Sequence, residues 1–192
     1  MENNYSNNNG FDHDFDENKL IHLSKQQIIS KAFHYHSKGN IVEAAKYYNH
    51  FIKRGFKDPS VYSNFGVICI QLGKNDLAIN LYQRSISVYP NNPEAYSNLG
   101  NLYKELGKDR EAEELLRKAI SINPDFSDAY SNLGTLLLNR GDINEAENFI
   151  NKAIELNPDS FKDHSNLGII LKKKKKYEEA KISTMKAIKL NP

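Results

Sequence analysis

Four asparagines, Asn64, Asn98, Asn132 and Asn166, stand 34 residues apart, and each follows a serine: Ser63, Ser97, Ser131 and Ser165. A carboxamide carries both donor and acceptor, so a row of them can bind the peptide groups of another chain whatever its side chains are. Other residue types are not arranged for chemistry. His34 and His36 lie two apart, on different helix faces, with no carboxylate or His at i+4 to complete a ligand pair. The single cysteine, Cys69, lacks a partner for a disulfide or a zinc set and is expected to be buried as a small hydrophobe. Gly66 to Lys74 and Gly100 to Lys108 have six residues between their glycines, where a phosphate loop needs four after a strand. The repeated serines lack the activating base that a nucleophile needs. No catalytic residue, metal or cofactor is expected, and the chain reads as a non-enzyme.

The elements that position these residues follow from the pattern of the whole chain. Of 192 residues 39% are hydrophobic and 26% charged, with no apolar run near the roughly 18–20 residues of a membrane span. No apolar leader opens the chain, which points to a cytoplasmic protein. Residues 1–24 carry one Lys against five acids, 25–160 are balanced at 16 each, and 161–192 hold nine Lys and three acids, with a run from Lys172 to Lys176. The Asn-rich, acidic stretch 1–23 has little aliphatic content and reads as a disordered tail, with order from about Ser24.

Pro90, Pro124, Pro158 and Pro192 keep the 34-residue step, as do Gly66, Gly100, Gly134 and Gly168, and the alanines from Ala44 to Ala180. Such a period marks a repeat array. Its units are 25–58, 59–92, 93–126, 127–160 and 161–192. In the unit 93–126, Pro93 after Asn92 opens a helix A that runs to about Leu106, Gly107 breaks it, and a helix B covers about Asp109 to Ile122 before Asn123-Pro124. Ser24 with Gln27 is the capping-box signal of the first unit. Tyr96, Leu99, Gly100 and Tyr103 make the stripe that faces helix B, and the recurrent Gly implies close backbone approach, with Ala112 as its small partner.

The pattern at Tyr96, Leu99, Gly100, Tyr103, Ala112, Ala119 and Pro124 resembles the tetratricopeptide repeat. His164 and Lys175 depart from it in the last unit, and Ile28, Lys31 and Ala32 in the first. The resemblance implies an all-α fold, a right-handed superhelical solenoid of five helix-turn-helix repeats with the A helices lining the concave side. On a 100° wheel Ser97, Asn98, Asn101 and Lys104 point away from helix B, so Ser and Asn are expected to face the groove. The column of Asn64, Asn98, Asn132 and Asn166 is similar to the asparagine ladder in the repeat arm of protein O-linked N-acetylglucosamine transferases, which implies gripping an extended peptide by its backbone. At about 10 Å between A helices and at most about 3.6 Å per extended residue, one Asn meets roughly every third residue. Varying slots, among them Asn101 and Lys104, Thr135, Leu138, Ile169 and Lys172, would set specificity.

The expected partner is a protein or extended peptide bound by a scaffold or adaptor. One alternative is the substrate-docking arm of a glycosyltransferase system with catalysis elsewhere, and another is an RNA-binding helical-repeat protein, against which the neutral middle argues. The lysine run reads as a solvated turn or as a site for an anionic partner. No polar capping helix follows the last unit, so its helix B would expose Ile182, Met185 and Ile188. Two readings follow: homo-oligomers form through that end, or the array belongs to a longer or split protein.

Overall fold

A computed structural model of the chain describes residues 20–191, and all its regular elements are α-helices arranged as five antiparallel pairs. The first compact unit, up to Val88, holds α1 (Lys25–Ser37), α2 (Ile41–Lys53), α3 (Pro59–Gln71) and α4 (Asn75–Val88). The second, from Tyr89, holds α5 (Pro93–Glu105), α6 (Asp109–Ile122), α7 (Ser127–Arg140), α8 (Ile143–Leu156), α9 (Phe161–Lys173) and α10 (Tyr177–Leu190). Odd-numbered helices are thus the A helices and even-numbered ones the B helices. Residues 1–19, most of the Asn-rich stretch, lie outside the described residues. Leu20 to Leu23, assigned to that stretch by composition, form a turn in which Leu20 is buried and whose Ile21 and Leu23 carbonyls accept from Arg54 Nη1 at 3.3 Å.

Local signals start the helices. The Ser24 hydroxyl accepts from the Gln27 N–H at 3.3 Å while the Gln27 side chain accepts from the Ser24 N–H at 2.8 Å, a complete capping box. Asp58 and Asn92 cap α3 and α5 just before a proline at the first helical position, and Ser160 caps α9. A left-handed residue marks each of the five A-to-B turns: Gly39, Gly73, Gly107 and Gly141 have positive φ, and in the fifth pair Lys175 adopts φ 61° in the same slot.

In the last four pairs helix A and helix B meet over the recurrent glycine; the first pair has Ala32 in that slot. A methyl at Gly100 would come within 2.9 Å of Leu116, and at Gly134 within 2.7 Å of Ile150. The obstacle is therefore a large side chain one turn beyond the periodic alanine; Ala112 contributes only its carbonyl oxygen, at 3.2 Å. In the second unit Leu116, Leu133, Leu136, Leu137, Ile150 and Ile170 form the core, with Ile120 and Ile154 of the B helices packed against it. In the first, Tyr48 stacks on Phe65 at 5.7 Å, and Phe51, Ile68 and Cys69 are fully buried. Burial pushes the Cys69 thiol up to about 12.

Candidate functional site

In the second unit three A helices, α5, α7 and α9, bring Asn98, Asn132 and Asn166 to one cavity of about 610 Å³. Asn101, Lys104, Ser131 and Ser165 also line it. The first unit holds Asn64 on a different cavity, of about 360 Å³, beside Phe33, His36, Ser37 and Tyr48. There His36 Nδ1 and the Tyr48 hydroxyl are 3.2 Å apart, and burial lowers the pKa of the His36 imidazole and raises that of the Tyr48 phenol.

Two of the expected groove serines are elsewhere. Ser63 and Ser97 are 0% and 1% exposed and line neither cavity, so neither is placed to touch a peptide. A helical wheel relates one helix to its own partner and ignores the next A helix, 34 residues on. For Ser97 that neighbour supplies the cover: Asn132 Nδ2 of α7 donates to its hydroxyl at 3.3 Å. Leu138, expected among the specificity positions, is part of the core.

The same joint recurs one repeat later in altered form. Ser131 of α7 donates its hydroxyl to Asp163 Oδ1 of α9, at 2.5 Å. Asn166, which by analogy with Asn132 would donate to Ser131, donates instead one turn further on, to Thr135 Oγ1 at 2.9 Å. Thr135 in turn donates to the Ser131 carbonyl at 2.8 Å. The Ser-Asn pair therefore ties successive A helices together as well as lining the cavity. Asn132 and Asn166 each use one N–H in this way and keep the oxygen and second N–H. Asn98 makes no hydrogen bond among the described residues, while Asn101 donates to Glu105 at 3.0 Å.

Charge enters through residues that the repeat pattern did not bring forward. Asp128, Lys162, Asp163 and Glu105 line the cavity with Lys104. Burial, and then Lys162, lowers the pKa of the Lys104 ammonium despite Glu105 beside it, and burial with Asp128 nearby raises that of the Glu94 carboxyl. Asp163 is 2% exposed, in a slot that carries Val61, Ala95 and Ala129 in α3, α5 and α7. Its third helical position favours an anion by about 0.3–1 kcal/mol, up to about 2 when partly buried. Burying a charge costs several kcal/mol, so the helix end alone does not account for it. That one-letter departure from a small apolar slot was a signal in the sequence.

The lysine run is partly neutralised: Lys174 bridges to Glu147 of α8 at 2.5 Å and Lys176 to Glu179 at 3.4 Å. On the same unit Arg117 of α6 bridges to Glu145 of α8 at 2.6 Å, and Glu113 of α6 to Arg140 of α7 at 2.8 Å. On α10, Ile182, Met185 and Ile188 are 68%, 60% and 60% exposed. Among the described residues no helix is long and apolar enough to cross a membrane, and no group of three or more His, Cys, Asp or Glu could hold a metal ion.

Comparison with known proteins places this geometry. Family models described as tetratricopeptide repeat match residues 93–126, 110–167 and 164–192, and one described as TPR repeat matches 66–107, so together they run unbroken from 66 to 192. No curated protein sequence matches. Among solved structures, PilF of Pseudomonas aeruginosa is 18% identical with a TM-score of 0.78, covering 88% of this chain and 77% of that one. TTC0263, a thermophilic TPR protein of Thermus thermophilus, is 19% identical with a TM-score of 0.75, covering 88% and 92%. MamA from Desulfovibrio magneticus RS-1 is 20% identical with a TM-score of 0.70, covering 86% and 94%. At these identities the likeness is one of fold.

Proposed function

Because this chain belongs to the tetratricopeptide-repeat family, a fold of protein-interaction scaffolds, we propose that it is a non-catalytic adaptor whose second unit takes an extended peptide along α5, α7 and α9. The observation that carries this is the shared cavity of Asn98, Asn132 and Asn166, about 610 Å³, with carboxamide groups still open to a ligand. Backbone-directed bonds of this kind tolerate many sequences. At about 0.5–1.5 kcal/mol net per hydrogen bond, three rungs support weak binding, to which groove side chains must add. The first unit adds Asn64 and its aromatic cavity as a separate contact.

The test is an NMR titration with an acetylated and amidated decapeptide of alternating Gly and Ser, following the side-chain amide signals of the three asparagines. Those signals should move together and saturate. In a variant with Asn98, Asn132 and Asn166 all changed to Ala, checked for folding by circular dichroism, the peptide should leave the backbone signals of α5, α7 and α9 unmoved. Equal shifts in that variant would remove the asparagines from the account.

A further inference from the structure

Asp163 is an anomaly among the A helices. Where α3, α5 and α7 bury Val61, Ala95 and Ala129 at 0% exposure, α9 buries a carboxylate at 2%. Removing a charge from water is unfavourable unless partners replace the lost hydration. The protein supplies little. The Ser131 hydroxyl donates to Oδ1, and Asp163 stands in the first turn of α9. No Lys or Arg forms an ion pair with it among the described residues, although Lys104 and Lys162 line the same cavity. The cost is thus met only in part, and the group lies on the wall of a space large enough for a side chain. Natural proteins tolerate such local conflicts where function needs them.

We propose that Asp163 makes the groove selective for a cationic side chain, the Lys or Arg of an extended segment otherwise neutral or acidic. This inference rests on the peptide-binding reading above and names the chemistry of the ligand. An ammonium or guanidinium entering the cavity meets a carboxylate whose hydration has already been lost, so the charge-assisted bond forms without the full desolvation that weakens a surface pair. Asp128 lines the same cavity and adds to the attraction. Lys104 and Lys162 oppose a second cation, which is why one basic residue suits the site and a basic run does not.

Two probes test it: acetyl-Gly-Ser-Gly-Ser-Gly-Lys-Gly-Ser-Gly-Ser-amide and the same peptide with norleucine for Lys. The wild-type protein should bind the Lys peptide about tenfold more tightly, a ratio equivalent to about 1.4 kcal/mol. Asp163→Asn keeps an acceptor for Ser131 and removes the charge, and should bring the ratio to about one. Asp163→Ala, the residue of α5 and α7, should do the same while unfolding at no lower urea concentration than wild type. A ratio near one in the wild type, or an unchanged ratio in Asp163→Asn, overturns the assignment. So does Asp163→Ala that loses stability and keeps the preference, which would make Asp163 a joint between helices and nothing more. If the norleucine peptide binds and Lys brings no advantage, only this inference fails. If neither peptide binds, the groove reading fails and takes this one with it.

Discussion

A glycine inside a helix costs about 0.5–1 kcal/mol against alanine, yet Gly66, Gly100, Gly134 and Gly168 hold that place in four A helices. At Gly134 the reason is plain, since a methyl would lie 2.7 Å from Ile150 Cγ1 and 3.1 Å from the Ile150 amide nitrogen, neither of which is the loose end of a side chain. Gly134→Ala should therefore lose about 1–3 kcal/mol despite its better helix propensity, read as a lower urea midpoint at unchanged slope. A neutral or stabilising result would mean that α7 and α8 can move apart freely. Lys175 shows the converse conflict, a side chain at φ 61° in a turn slot that is Gly in the four earlier pairs.

At the scale of elements, the second unit is tied by two kinds of contact between repeats. Buried joints link A helices through Asn132 to Ser97 and through Ser131 to Asp163, and an outer network links α6, α7 and α8 through Glu113, Arg117, Arg140 and Glu145. Hydrogen bonds from Arg140 and then Arg117 hold the Glu113 carboxyl below its ordinary range. A carboxylate depressed in the folded state adds stability above its unfolded pKa of about 4.3, and that contribution disappears as pH falls through the lowered value. Wild type should accordingly lose more stability than Glu113→Gln between about pH 5 and the acid limit, measured as urea midpoints across pH. Parallel curves would show that the network is only a surface decoration.

Which of these elements could be read in advance follows from range. Caps, turn glycines and the Ala and Pro spacing act within a few residues, so Ser24, Asp58, Asn92 and Gly107 announce their helices by type alone. Asn98, Asn132 and Asn166 were likewise visible as a column, because one face of a helix repeats with the unit. The burial of Ser97 was not, since it depends on a neighbour from the next repeat, and a wheel drawn for one helix has no place for it. Asp163 was written in the sequence as a departure from Val61, Ala95 and Ala129, but its depth only the packed helices reveal.

Across the second unit as a whole, helices differ in how many sides are covered. α7 packs on α5, α6, α8 and α9, whereas α10 packs on α9 and turns Ile182, Met185 and Ile188 outward. Helices with fewer covered sides open more easily. Amide exchange followed by mass spectrometry should find α7 the most protected of these six helices and α10 the least. Protection of α10 equal to that of α7 would mean that something covers its outer face.

The joints between A helices also bear on the order of the copies. At one boundary the donor reaches a hydroxyl in the copy before it, Asn132 to Ser97, and the same two residue types recur in each of the copies from 59 to 192, although Asn98 makes no such bond among the described residues. A copy that carries both residues has the groups for this joint on either side. Asp163 alters that joint. By claiming Ser131 and moving Asn166 onto Thr135, it fits the fifth module to a predecessor with a hydroxyl at the Thr135 position, where Asn101 and Val67 offer none. The joint between the last two copies therefore depends on their order.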